Sequence, residues 1–155
     1  MILFTQTAKL LEVLGFSKGK VLYTYAISQT GKVKSGIKAP KEYGCAEAVN
    51  RIFKECFGNE AGGDVSTARM YESIRSSYRF AKVVVPMPGD IVISPTGYGN
   101  GSLQNGHVGI VSEKGRIMSN SSATGLWEEN YTIESWSKRY QIQGGFPVVY
   151  FRVVV

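Results

Sequence analysis

The chain has few of the residues that build disulfide scaffolds or metal sites: two cysteines and one histidine in 155 residues. Cys45 and Cys56 fall on one predicted helix, where 11 residues of separation amount to roughly 16 Å along the axis. A disulfide needs Cα atoms within about 7 Å, so the two cannot pair while that helix is intact. One histidine and two distant cysteines do not make a zinc site, and neither a metal nor any other cofactor is expected. No run approaches the roughly 18 apolar residues that a membrane-spanning helix needs. The start, Met1-Ile2-Leu3-Phe4-Thr5-Gln6, has no basic region, no sustained apolar run and no small-residue cleavage site, so it does not read as a secretory signal. Acid is also scarce, with 12 Asp and Glu against 18 Lys and Arg, a net charge of +6. Such a surface favours anionic partners, whether nucleic acid, anionic lipid or an anionic wall polymer. The lysines cluster only mildly, at Lys18, Lys20, Lys32, Lys34, Lys38 and Lys41. They form no stripe with interleaved aromatics, which argues against nucleic acid.

What is present suits one globular domain. The length is about one domain, and 43% hydrophobic with 19% charged residues is enough for a real core. Thr7 to Leu14 carries Ala8, Leu10, Leu11 and Leu14, a short amphipathic helix that Gly15 ends. Val21 to Ser28 is apolar and aromatic, a strand or a helix. Gln29 to Lys41 is polar, with two glycines and one proline, and reads as a loop. A helix from Cys45 to about Gly58 carries Val49, Ile52, Phe53 and Cys56 at spacings of three and four. Ser66 to Tyr78 predicts another, capped by Ser66 or Thr67. The second half turns β-rich, with strands expected at Ala81–Val85, Ile91–Ser94, Gly106–Val111, Arg116–Asn120 and Phe146–Val155, and a short helix over Thr132–Tyr140. Helices first and an antiparallel sheet after them predict one α+β domain over residues 1–155.

The stretch that carries chemistry is Tyr43-Gly44-Cys45-Ala46-Glu47-Ala48-Val49-Asn50. It reads as a tight turn opening into a helix with a cysteine in its first turn, where unpaired N–H groups and the positive end of the dipole converge. That setting is expected to lower the thiol pKa and favour the thiolate. Gly44 supplies a sharp turn that a side chain would obstruct. The sole histidine, His107, begins a later strand, and a helix-start cysteine with a strand-borne histidine is what a thiol nucleophile and its base require. A third polar group should orient the imidazole. If two or four residues connect the next hairpin, strand parity puts Asn120 on the His107 face. If three connect it, Ser119 and Ser121 take that face. The amide oxygen of Asn120 is the better acceptor for an imidazole N–H, so Asn120 is the chemically favoured third residue, with Ser119 as the alternate. Glu47 and Asp90 read as solvated or turn-stabilising. Tyr98, Trp127 and Tyr131 lie in or near loops, where they can line a groove or simply pack, and Tyr43 adjoins the cysteine.

Tyr-Gly-Cys-Ala-Glu-Ala-Val-Asn, then Pro-Met-Pro-Gly-Asp-Ile-Val-Ile, then Gly-His-Val-Gly-Ile-Val resembles the CHAP and NlpC/P60 superfamily of papain-like cysteine amidases and endopeptidases. The likeness runs from about residue 43 to about 120. It implies a papain-like fold, with N-terminal helices on an antiparallel sheet or half-barrel. It also implies Cys45 as nucleophile, His107 as base, a third polar residue near Asn120, and peptidoglycan as substrate. The chain departs from the Cys-His-His form of the family, having no second histidine. A phage lysin fits best: a monomer made in the host cytoplasm that acts on the wall after release. An interbacterial amidase toxin shares the chemistry, and a non-catalytic wall-binding module on a degenerate scaffold is the alternative of another class.

Overall fold

The computed structural model describes residues 3–40, 43–101 and 105–155. Lys41 of the lysine cluster and Gln104 of the turn before His107 lie outside the described residues. Four helices come first: α1 (Leu3–Val13), α2 (Lys18–Ser28), α3 (Cys45–Phe57) and α4 (Thr67–Arg75). Five strands follow, β1 (Phe80–Val83), β2 (Ile91–Ser94), β3 (His107–Val111), β4 (Arg116–Asn120) and β5 (Trp127–Thr132). A short α5 (Ile133–Trp136) runs on into a π-helical segment, Ser137–Gln143, before β6 (Val149–Val153) closes the sheet. The strands form one open antiparallel sheet in the order β1-β6-β2-β3-β4-β5. The fold is thus α+β, and no helix among the described residues is long and apolar enough to cross a membrane.

Local chemistry explains most of these boundaries. Ser17 and Ser66 cap α2 and α4 by accepting N–H bonds from Lys20 and Arg69. Gly58 ends α3 in the left-handed conformation at φ 92°. Val21–Ser28, left open between strand and helix, is helical and buries Val21, Leu22, Tyr25 and Ala26. β5 is a strand where the sequence pattern predicts no element.

The sheet is covered on both faces, as its strand pattern shows. Ile91 and Ile93 of β2, Val108 and Ile110 of β3, and Met118 of β4 join the helices in the larger core. Val92, Val111 and Ile117 point the other way, into a smaller core with Trp136, Tyr140 and Phe146. Period-two alternation thus assigns each side chain to one core or the other.

Two carboxylates read from the sequence as solvated or turn-stabilising are both buried, and both hold turns. Asp90 takes a two-pronged bond from Arg152, at 2.9 Å from Nε and from Nη2, and accepts the Met87 N–H at 2.7 Å. This ties the turn before β2 to β6 across the sheet. The same turn requires Gly89: its φ is 93°, and a Cβ there would run into the Gly19 carbonyl. Glu47, in the first turn of α3, accepts four consecutive main-chain N–H groups, from Gly36, Ile37, Lys38 and Ala39, at 3.0–3.2 Å. The loop before the cysteine is therefore wrapped onto the helix that carries it. Lys34 of the same loop is no surface cation; it is buried and bonds Glu55 at 2.7 Å.

Burial pushes the Glu47 carboxyl up, but the four amide donors outweigh it and hold the group below the usual carboxylate range. Its stabilising effect is present above the unfolded value of about 4.3 and is lost as pH falls through the lower folded value. Glu47→Gln should lower unfolding free energy by about 2 kcal/mol near neutral pH. Urea titrations at pH 7 and pH 3 should show the gap between variant and parent shrinking at the lower pH.

Candidate functional site

The start of α3, the start of β3, the β4–β5 hairpin and the α5 segment surround a cleft of about 850 Å³. That volume lies within the usual range for ligand sites. Cys45 and His107 both line it.

Cys45 is placed by α3, whose Val49, Ile52, Phe53 and Cys56 are fully buried in the larger core. Gly44 before it has an ordinary φ of −89°. Its lack of a side chain is demanded by packing instead: a Cβ would collide with the Ser35 side chain and stand 3.3 Å from Asn120 Nδ2. The thiol accepts main-chain N–H groups of Ala46, Val108 and Cys45 itself, which favour the thiolate. Burial outweighs them and pushes the thiol up to about 11. The thiol is thus shifted in the direction opposite to the expected lowering: Cys45 is half-buried at the cleft wall, and this partial loss of water outweighs the helix start and its amide donors.

His107 stands on the sheet face turned away from α3. Its ring stacks on Trp136 at 5.1 Å and on Tyr140 at 5.7 Å between centroids, and Tyr131 tilts against it at 5.7 Å. Burial, and secondarily the charge of Arg139, push the imidazole down to about 4, so it is neutral at physiological pH. Nε2 and Ser119 Oγ are 3.0 Å apart, and the Ser119 hydroxyl donates to Asn130 Oδ1 at 2.6 Å.

The third residue is the main correction. Ser112 N–H bonds the Arg116 carbonyl at 2.8 Å, leaving Glu113, Lys114 and Gly115 as a three-residue loop. Gly109 consequently pairs with Ser119, and parity puts Ser119, not Asn120, on the His107 face. Asn120 points to the helical side, where its Oδ1 accepts the Ser35 hydroxyl at 3.0 Å. It lines the cleft near Gly44 and braces the loop before Cys45, a different place from the one its chemistry suggested.

Of the aromatic residues singled out, Tyr43 and Tyr131 line the cleft. Tyr98 packs edge-on against Tyr71 at 5.3 Å and is not among the described lining residues. Trp127 cannot line a groove, since it is fully buried in the larger core with its Nε1–H donated to the Ala26 carbonyl at 3.1 Å. Trp136 and Tyr140 share, with Ile133, one face of the short helix expected over Thr132–Tyr140, but no spacing announces that this face meets the histidine. Asn130 and Arg139 left no signal. Among the described residues lining the cleft, Arg139 is the only Lys, Arg, Asp or Glu, and no described carboxylate lies within ion-pair distance of it.

No protein-family model matches this chain, and no curated protein matches it. The chemistry therefore has to be read from the cleft itself. A neutral thiol and a neutral imidazole can pass a proton from sulfur to nitrogen as a carbonyl is attacked, without a standing ion pair.

The sole imidazole makes this easy to check. Its proton NMR signals should titrate near pH 4 instead of the ordinary value of about 6.5. Because the folded value is the lower one, the stability this group contributes is present above about 6.5 and is lost as pH falls towards 4. Alkylation of Cys45 by iodoacetamide, located by peptide mapping, should keep rising beyond pH 9, whereas a plateau already at pH 7 would indicate a resting thiolate.

Proposed function

We propose that the protein is a papain-like cysteine hydrolase that cuts an amide bond of peptidoglycan. The observation that carries this reading is that Cys45, at the start of α3, and His107, at the start of β3, line one cleft while a polar side chain holds the imidazole. The α+β order, with the cysteine helix packed on an antiparallel sheet, agrees with the resemblance of residues 43–120. In this reading His107 takes the Cys45 proton as the sulfur bonds to the peptide carbonyl carbon. The oxyanion is held in part by the Cys45 main-chain N–H. The imidazolium then protonates the leaving amine, and the C–N bond breaks. Water, deprotonated by His107, attacks the thioester, and the thiol is released with its proton restored.

Arg139 adds a preference for substrates bearing a carboxylate near the scissile bond, which wall stem peptides supply. A phage lysin is the favoured setting. An interbacterial toxin would use the same steps, and a neighbouring immunity gene would separate the two. The raised thiol pKa favours a second reading, a non-catalytic wall-binding module, in which Cys45 is only an unreactive, half-buried thiol.

Purified sacculi distinguish these. The parent protein should clear turbidity and release fragments that mass spectrometry assigns to one amide bond, while Cys45→Ala should be inactive. Equal behaviour of the two would remove the hydrolase proposal. Ser119→Ala should lower turnover by about tenfold or more. Arg139→Gln should raise KM by about tenfold on stem peptides with free carboxylates, consistent with loss of one charge-assisted hydrogen bond, and should change little on amidated ones.

A further inference from the structure

A serine hydroxyl can either donate to an imidazole or accept from it, so Ser119 alone does not decide which ring nitrogen of His107 carries the proton. Its surroundings do. Ser119 has one hydroxyl proton, and that proton lies on the short 2.6 Å bond to Asn130 Oδ1. With its only proton committed, Ser119 Oγ can meet His107 Nε2, 3.0 Å away, only as an acceptor. Nε2 must then be the protonated nitrogen, which leaves the Nδ1 lone pair bare. We propose that Asn130 sets the tautomer of His107 through the Ser119 hydroxyl, so that Nδ1 is the nitrogen that takes the proton from the thiol. Asn130 is in this sense a positioning residue, since it acts through Ser119.

The backbone supplies the means. β4 and β5 pair Ile117 with Tyr131 but Ser119 with Glu128, a shift of register that inserts one extra residue on β5 between these pairs. Such bulges re-aim side chains. Here it brings the Asn130 amide to Ser119, on the face where Tyr131 already packs against the imidazole. Asn130 is itself exposed on an edge strand, so replacing it leaves the core intact.

The assignment of Nδ1 as base rests on the hydrolase reading, whereas the tautomer does not. Because His107 is the only histidine, 15N-histidine labelling of the full chain gives one ring to read in a long-range 1H–15N spectrum. At pH 7 the parent should show Nε2 with the shift of a protonated nitrogen and Nδ1 with that of an unprotonated one. Asn130→Asp, which keeps an acceptor oxygen, should retain this pattern. Asn130→Ala frees the Ser119 proton and should move the shifts towards the Nδ1–H form, with turnover on sacculi about 10- to 100-fold lower and KM within about twofold of the parent. A parent ring protonated at Nδ1, the result expected if the Asn130 amide presented its NH₂ to Ser119, would overturn the proposal. So would ring shifts unchanged in Asn130→Ala. Sacculi left intact by a parent protein with the Nε2–H ring would sink the hydrolase reading alone, and sacculi cleaved by a protein with the Nδ1–H ring would sink this inference alone.

Discussion

The site depends on one requirement: the apolar stripe of α3 has to be buried, and the surface available to it is the helical face of the central strands. Val49, Ile52 and Phe53 are fully enclosed there, and withdrawing such side chains from water stabilises by about 1.5–3 kcal/mol each. That packing fixes the height and rotation of the helix, and its first residue is carried along. The thiol ends at the Val108 N–H, one residue from the sole histidine. Glu47 and Asn120 then hold the preceding loop against the same turn, one through four main-chain amides and the other through Ser35. The cysteine is located by the core, and its immediate surroundings are tightened by polar groups that do no chemistry.

Enclosure has an electrostatic consequence that a helix-dipole argument misses. The fields at a helix start and a few amide donors favour a thiolate, but their effect is limited, and removing water from the sulfur acts in the opposite direction. Here the partial burial of the two groups prevails, for the imidazole as well as for the thiol. The two groups are displaced in the senses that keep both neutral, the thiol upward and the imidazole downward. A resting ion pair is thus disfavoured from both sides. In the proposed hydrolase, proton transfer would then come at the moment when bond formation to a carbonyl lowers the basicity of the sulfur.

Periodicity made the helices and β2–β4 legible, because each buries a regular stripe or alternates between two cores. Tyr25 and Ala26 in α2 escaped a clear assignment because a run of apolar and aromatic residues suits strand and helix alike. β5 escaped because Glu128, Glu129 and Asn130 carry no alternation: it is an edge strand, half exposed and interrupted by a bulge. For the site, cysteine and histidine were visible from their local settings. The third residue turned on whether a hairpin loop has three residues or a neighbouring number, a one-residue question that exchanges Ser119 for Asn120. Trp127 was misplaced for a related reason, since a large aromatic two residues after a glycine looks like a loop residue until the strand it begins is known.

The aromatic rings around His107 and the polar chain behind it solve separate problems. Trp136 and Tyr140 are inclined to the imidazole by only 26° and 19°, so stacking fixes the plane of the ring. Stacking does not distinguish a ring from the same ring flipped about its Cβ–Cγ bond, and it says nothing about which nitrogen holds the proton. The hydrogen bond to Ser119 removes the first ambiguity, because only one flip brings a nitrogen to that hydroxyl. It leaves the second, because a hydroxyl serves equally as donor and acceptor. A direct carboxylate partner, which only accepts, would settle both at once. With serine in that place the decision passes one residue further out, to a group on the protein surface. An edge-strand asparagine, ordinarily among the least constrained positions of a sheet, is thereby tied to the proton inventory of the cleft.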